Sequence, residues 1–492
     1  MVLIYFFLTI YVLAMLFILV YSFAQAHLLY HFLKFRRHIK KALPPDWEKL
    51  PSVTVQLPIF NEQYVVERLI DAVAKFQYPK EKLEIQILDD STDETSGIIK
   101  NHIIQYPDVN FQYMHRKNRI GFKAGALREG LESAKGDFIA IFDADFVPDP
   151  QFILKTIGHF SDENTGMVQS RWTHLNEDFS LLTRLQAFAL DAHFMVEQIG
   201  RNAQHVFINF NGTGGIWRKS CIIDAGNWQD DTLTEDLDLS YRAQQKGWEF
   251  IYRPDIESPA ELPPVMSAIK SQQFRWTKGG AECASKHLKD ILSLPFSFRR
   301  KFHATAHLLN AMIFIAVLVV SITSIPIWWA FYQGLIPQFY FHLASVFFIG
   351  FIIIAMVYFF ANLNLVKFTW KAVLRFLWEL PLFLSISMGL ALHNTQAVWE
   401  GLTGKKSPFI RTPKYNLQSK NSWAKNVYHQ SKIPVTTYFE SILAVLFIFI
   451  SVMSVVSGTY EMLVFHLLLA LGYSVVSWAS YKSYGSHGYE KK

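Results

Sequence analysis

Cysteine is almost missing from this chain: Cys221 and Cys283 are the two among 492 residues. A pair with no metal-type spacing excludes a zinc ribbon or a disulfide framework, and it fits a compartment that keeps thiols reduced, with both residues serving as packing. The apolar amino-terminal stretch also lacks the two marks of a cleaved leader, a basic flank before it and a small-residue cleavage site after it. The composition of an ordinary soluble protein is missing too. Half of the residues (51%) are hydrophobic, yet the chain carries polar blocks and a formal charge of +6 that a bundle of apolar helices alone does not need. Two architectures must share it.

Residues 2–23 are nearly unbroken apolar, enough to cross a hydrocarbon core that takes about 20 helical residues. Lys34, Arg36, Arg37, Lys40 and Lys41 follow, a cluster typical of the cytoplasmic flank of a span. Further apolar runs lie at 308–331, 341–361, 373–392, 442–456 and 463–478. If all of them crossed, the basic segment with Lys405, Lys406, Arg411, Lys414, Lys420, Lys425 and Lys432 would fall outside, against the positive-inside rule. Residues 370–400 carry Arg375, Glu379, Pro381 and His393, so this run reads as a helix lying in the cytoplasmic interface. Five spans are expected, with short outer turns at 333–338 and 457–460 and with Lys491 and Lys492 inside. The expected units are a transmembrane helix at 1–33, a cytosolic domain at 34–300, a helix pair at 301–362, an interfacial helix and basic loop at 363–433, and a second pair at 434–492.

The polar domain reads as α/β. Strand patterns at 53–58, 83–88, 111–114 and 138–142 alternate with helical patterns through Leu69, Ile70 and Val73, at 96–105 and at 124–133. Such alternation implies a mostly parallel sheet covered on both faces, with ligands at the carboxyl ends of its strands. Acidic residues stand at those ends. Asp89-Asp90 closes the second strand, where it can contact a nucleotide or serve as a cap into Ser91-Thr92-Asp93. Asp143-Ala144-Asp145 closes the fourth, and paired carboxylates there can hold Mg²⁺ or Mn²⁺ against a pyrophosphate. Lys123, in a glycine-bearing loop before a helix, suits a phosphate or is simply solvated.

Thr234-Glu235-Asp236 opens a helical pattern that Thr234 can cap, which leaves Asp236 ionised at the positive end. A carboxylate so placed can take a proton from an attacking hydroxyl, or it is an ordinary acidic first turn. Gln272, Arg275 and Trp276 share one helical face. The first two can stabilise a leaving diphosphate and the indole can stack on a sugar ring; a helix anchored at the membrane by Trp276 is the plainer reading.

In their order and spacing, Asp89-Asp90, Asp143-Ala144-Asp145, Thr234-Glu235-Asp236 and Gln272-x-x-Arg275-Trp276 resemble the motifs of the membrane-bound family 2 glycosyltransferases, which include cellulose, mannan, chitin and hyaluronan synthases. Phe210-Asn211-Gly212-Thr213-Gly214-Gly215, Gly226-Asn227-Trp228 and Glu261-Leu262-Pro263 look most like the cellulose-synthase-like mannan and glucomannan synthases and their bacterial relatives. Phe409-Ile410-Arg411-Thr412-Pro413-Lys414 is similar to the gating loop of cellulose synthases, with Arg411 in place of a small apolar residue.

The resemblance implies a GT-A-type (Rossmann-like) cytosolic domain embedded in a helical membrane region. It implies inverting transfer of a hexose from GDP-mannose or UDP-glucose onto a growing β-linked polysaccharide that crosses the membrane, with a lipid acceptor as the alternative product and an inactive envelope scaffold as a third reading. Asp89, Asp90, Lys123, Asp143, Gln272 and Arg275 would face the donor, and Asp143 and Asp145 a Mg²⁺ or Mn²⁺ ion. Asp236, with Thr234 and Glu235, would be catalytic. Asn211, Gly212, Thr213 and Trp276 would face the acceptor, and Phe409, Thr412 and Lys414 would close over the donor. A channel is expected around Trp328, Trp329 and the last two helices. Membrane lipids are the expected partners, with an envelope export protein left open, nucleic acid is not expected, and neither is a PilZ-like regulatory domain. The membrane would be the plasma membrane in a bacterium and the Golgi in a eukaryote.

Overall fold

The computed structural model describes residues 2–37, 49–365, 368–407, 411, 412, 414–416 and 433–485. Among these, seven strands form one sheet: β1 (Val53–Ile59), β2 (Leu83–Asp89), β3 (Phe111–His115), β4 (Phe138–Ile141), β5 (Thr165–His174), β6 (Gly215–Arg218) and β7 (Glu249–Ala260). They lie in the order β3-β2-β1-β4-β6-β5-β7, and all neighbours run parallel except β6, which is antiparallel to both β4 and β5.

Side-chain alternation explains why both faces are covered. Val53, Val55 and Leu57 of β1 pack on Leu69, Ile70 and Val73 of the helix Val66–Ala74. Ile139 and Ile141 of β4 turn to the other face, against Leu127 and Leu131 of the helix Phe122–Ser133. Each fully buried side chain of this size contributes about 1.5–3 kcal/mol. The alternate β1 positions, Thr54 and Gln56, are buried polar groups with partners on β2: Thr54 donates to Glu84 at 2.8 Å and Gln56 to Gln86 at 3.0 Å.

The first four strands and the helices Val66–Ala74, Thr95–Ile103 and Phe122–Ser133 follow the expected alternation. The last three strands carry no comparable signal. β6 has four residues, and β7 contains Pro254 and Pro259, residues that usually argue against a strand. Because β1 lies between β2 and β4, the chain leaves it toward opposite sides, and the crevice at such a switch point is where open α/β sheets bind ligands.

Among the described residues, six helices are long and apolar enough to cross a membrane: Val2–Phe35, Phe298–Tyr332, Phe339–Leu363, Trp370–Gly389, Val435–Ser457 and Leu463–Tyr484. That is one more than the five spans expected, and the additional one is the stretch read as interfacial. It is also the least apolar of the six, with a mean hydropathy of 1.4, and it touches the polar domain: Arg375 bonds both Glu379 on its own helix and Glu177 beyond it, at 2.7 and 2.8 Å. Trp328 is buried among the last two helices, whereas Trp329 points away from the bundle and leaves the expected channel wall. Both cysteines are buried, as packing residues should be.

Candidate active site

A cavity opens at the carboxyl ends of β1, β2 and β4. Asp90, Lys123, Asp143, Asp145, Asn211, Gly212, Thr234, Glu235, Asp236, Gln272, Arg275, Trp276, Thr412 and Lys414 all line it, so most of the residues singled out in sequence converge on one space. Its volume of about 190 Å³ is below the roughly 300–1,000 Å³ usual for ligand pockets, with Arg411, Thr412, Lys414 and Tyr415 forming part of its wall.

Two expected residues are absent from that wall. Asp89 is fully buried beneath it, where its carboxylate accepts from Ser96 Oγ (2.5 Å), Tyr113 Oη (2.7 Å) and the Ser91 N–H (2.9 Å), with His115 Nδ1 at 3.1 Å. Burial alone would raise its pKa, but the bonds from Ser96, Ser91 and Tyr113 outweigh it and hold the group below the ordinary range. Thr213 is also buried, and its hydroxyl accepts the Asp143 N–H at 2.9 Å. Each therefore supports its neighbour: Asp89 the turn that presents Asp90, Thr213 the turn that presents Asp143. Phe409, Ile410 and Pro413 lie outside the described residues.

Lys123 is not solvated. Its Nζ donates to Asp143 Oδ1 at 2.6 Å and to the Gly212 carbonyl at 2.9 Å, and it stands 3.9 Å from Glu235. Burial would lower its pKa, but Asp143 and Glu235 more than compensate, so the ammonium is held charged. Gly212 has φ of +82°, and a Cβ there would meet Asp236 Oδ2 at 3.0 Å; glycine at this position lets the backbone approach the carboxylate.

Asp236 lies in the first turn of the helix Glu235–Gln245, but two details of its expected setting are wrong. Thr234 precedes the helix without a side-chain capping bond; its hydroxyl faces Cys283 Sγ at 3.5 Å, and Gly279 packs so closely that a Cβ there would meet Thr234 Cγ2 at 2.5 Å. Nor is Asp236 simply held ionised. Burial first, and the neighbouring Glu235 second, push its pKa up to about 7 against the pull of Lys123. Burial likewise raises Glu235. The first-turn position is too small an effect to offset desolvation.

The acidic helix is fixed by Asp238, two residues on. This buried carboxylate meets His287 Nε2 and Lys286 Nζ of the helix Met266–Ser293, both at 2.8 Å, and Arg242 of its own helix. The same long helix carries Gln272, Arg275 and Trp276 on the cavity wall, and Arg275 Nη2 donates to Thr412 Oγ1 at 2.7 Å.

Asp143 and Asp145 offer the hard oxygen donors that Mg²⁺ or Mn²⁺ takes. No group of three or more metal-ligating side chains occurs among the described residues. Two carboxylates suit an ion that fills its shell with substrate phosphate and water. Lys123 stands against Asp143 and Lys414 against Asp145, so protein cations already mark both positions as sites for positive charge.

Several wall residues are not among those singled out in sequence. Glu62 follows β1, is buried, and meets Arg411 at 2.5 Å; burial raises its pKa, opposed by Lys414 and Arg411. Trp172 donates to the Thr213 carbonyl at 3.2 Å, and Arg119 lies 3.3 Å over the Phe60 ring while lining the cavity beside Asp90. The position of Glu62 just beyond a strand end was the available clue, and nothing in the local pattern marked the other two.

Residues 51–279 match the family described as "Glycosyltransferase like family 2". The chain is 40% identical over 300 residues to a probable glucomannan 4-beta-mannosyltransferase of Oryza sativa subsp. japonica, covering 56% of this chain and 55% of the relative. It is 38% identical over 306 residues to a glucomannan 4-beta-mannosyltransferase of Arabidopsis thaliana, with 57% of each covered. The chain thus spans about half the length of the curated relatives it matches. Among solved structures, a mannosyltransferase from Pyrobaculum calidifontis, in complex with GDP-Man and Mn²⁺, superposes with a TM-score of 0.52 at 18% identity, covering 79% of this chain and all of the other. A likeness at that identity speaks for the fold. Residues 51–279 are therefore similar to the family 2 glycosyltransferases, and they are built on a GT-A-type sheet.

Proposed function

We propose that this protein transfers mannose from GDP-mannose, with inversion, to the end of a β-1,4-linked mannan or glucomannan. The observation that carries this reading is the placement of Asp236 in one cavity with Asp143, Asp145, Lys123 and the Gln272–Arg275–Trp276 face. The choice of mannose follows the names of the relatives.

In this reading Asp143 and Asp145 hold Mg²⁺ or Mn²⁺, which when bound neutralises the donor diphosphate and eases its departure. Asp90 and Lys123 face the nucleotide. Gln272 and Arg275 meet the leaving diphosphate, and Trp276 stacks on the acceptor sugar beside Asn211 and Gly212. Asp236 removes the proton from the acceptor hydroxyl as that oxygen attacks the anomeric carbon. A base with pKa near 7 is well matched to this work at neutral pH, because it is substantially ionised yet still basic. Lys34, Arg36, Arg37, Lys405 and Lys406 argue that the catalytic domain is cytosolic and that Trp370–Gly389 rests at that interface, so the product would have to cross the membrane outward.

The test uses sealed membrane vesicles with labelled GDP-mannose or UDP-glucose and Mg²⁺ or Mn²⁺. Label from GDP-mannose in ethanol-insoluble material that β-mannanase digests supports the proposal. Label from UDP-glucose alone overturns the sugar, and label confined to the organic phase replaces the polymer with a lipid product. Protection of the polymer from β-mannanase added on the cytosolic side would support export.

A further inference from the structure

Lys414 stands where a metal ion would have to bind. Its ammonium contacts Asp145, one of the two carboxylates proposed to hold the ion, and lies 3.8 Å from Glu62. This is not a lysine resting on a surface, because the residues around it are held on both sides. Before it, Arg411 pairs with Glu62 at 2.5 Å and Thr412 accepts from Arg275 at 2.7 Å. After it, the Asn416 N–H donates to Glu261 at 3.1 Å, and Arg68 bonds Glu261 at 2.6 Å and the Asn416 side chain at 3.1 Å. Arg68 also donates to the Asp145 carbonyl at 3.2 Å, so the groups that position Asn416 also position the metal carboxylate.

We infer that Lys414 is a resident counter-ion on Asp145, which makes the protein take up its divalent ion together with a nucleoside diphosphate rather than alone; this rests on the metal assignment proposed above. A bare dication approaching Asp145 meets an ammonium at the same carboxylate, and like charges at that distance repel strongly in a partly desolvated site. A diphosphate brings negative charge to which the ammonium can transfer, which frees Asp145 for the ion. The outcome is positive coupling between ion and nucleotide, reciprocal by linkage.

The test is Mn²⁺ binding, read from the electron-paramagnetic-resonance signal of free Mn²⁺, with the full-length protein in nanodiscs and no sugar donor. Without nucleotide, Lys414→Gln is expected to bind Mn²⁺ about tenfold more tightly than the unmodified protein, while Lys414→Arg stays close to it. GDP should tighten Mn²⁺ in the unmodified protein by a factor that shrinks about tenfold in Lys414→Gln. Lys414→Ala serves as a second neutral variant should the glutamine chain fail to fold. Equal Mn²⁺ affinity in the neutral variants and the unmodified protein, with Asp145→Asn abolishing binding, overturns the counter-ion and leaves the metal site standing. Unchanged binding in Asp145→Asn overturns the metal site itself, and the counter-ion with it.

Discussion

Replacing Asp236 by asparagine removes the proposed base with almost no change in shape. Asn keeps an oxygen for the Leu237 N–H, which Asp236 Oδ1 accepts at 2.8 Å, and it fits the same contact with Gly212. Loss of a positioned general base costs about 10²–10⁴-fold, or about 3–5 kcal/mol in the barrier. With its pKa pushed up to about 7, Asp236 is mostly ionised above neutral pH and mostly protonated well below it. Initial rates of mannose incorporation from GDP-mannose should therefore show an acid limb with a midpoint near 7 in kcat/KM, and the residual activity of Asp236→Asn should lack it. Binding of GDP should change less than about threefold, since no nucleotide contact is assigned to Asp236. Stability runs the opposite way to activity. The folded, donor-free protein ionises this carboxyl near 7 and the unfolded chain near 3.8, so the folded state holds an extra proton between those values. Stability then falls as pH rises through that window, and the asparagine variant should lose less Tm than the unmodified protein between pH 5 and 8. Turnover of Asp236→Asn above a tenth of normal, with the acid limb intact, would refute the assignment.

Three further outcomes are expected. Trp276→Ala should raise the KM for a mannotriose primer about three- to tenfold while leaving GDP affinity unchanged, and equal losses in both would reduce the ring to packing. Asp89→Asn should lower stability by about 1–3 kcal/mol without a selective loss of GDP binding, because the carboxylate serves Ser96, Tyr113 and Ser91. Its depressed pKa sets the sign: this stability is present above the unfolded value of 3.8 and is lost as pH falls through the lower folded value, so the two proteins converge in strong acid; a nucleotide-specific defect at neutral pH would return Asp89 to the donor site. Lys270→Met should cost about 3–5 kcal/mol by leaving Glu440 buried without its ion-pair partner, and Lys270→Met/Glu440→Leu should recover most of it; thermal unfolding in nanodiscs checks both, and a double variant as weak as the single one would mean that the pair is not the cause.

The parts of the fold that could be read from sequence are those with a one-dimensional signature. Parallel strands buried on both faces produce runs such as Val53-Thr54-Val55 and Phe138-Ile139-Ala140-Ile141, and the acids that follow stand at strand ends by construction. Asp89 and Asp90 mark the limit. Successive residues of a strand point to opposite faces, so one of two adjacent aspartates enters the cavity and the other is buried, and the phase at a strand end is set by the fold around it. Thr213 is buried beside Gly212 because the backbone turns at Gly212 (φ +82°) and Gly214 (φ +68°), outside any strand, and no local pattern reports which side chain of such a turn faces inward. The setting of Asp236 differs from the expected one because its pKa depends on burial that only the assembled cavity creates and on Glu235. Lys414 and Asp145 lie 269 residues apart, and no local pattern reports a contact of that separation.

One rod connects the chemistry to the membrane region. From Lys270 to His287 the helix Met266–Ser293 advances about 25 Å at 1.5 Å per residue. Along that length Lys270 pairs with Glu440 at 2.6 Å, Arg275 meets Thr412, and Lys278, fully buried, bonds Ser407 at 2.5 Å with Glu400 3.6 Å away. Gly279 lies against Thr234, and Lys286 and His287 hold Asp238. Gln272, Arg275 and Trp276, proposed for the leaving diphosphate and the acceptor ring, are therefore mounted on an element whose position is set at one end by an apolar helix and at the other by the acidic helix bearing Asp236. A shift of about 1 Å at the Lys270 end would move Gln272, Arg275 and Trp276 relative to Asp236, because a helix hydrogen-bonded along its length transmits displacement rather than absorbing it. Near-attack geometry tolerates little error of that size. Turnover should accordingly depend on Glu440, which is absent from the cavity wall, and an enzyme of this build must keep its membrane helices in register in order to keep its base and its leaving-group cradle facing each other.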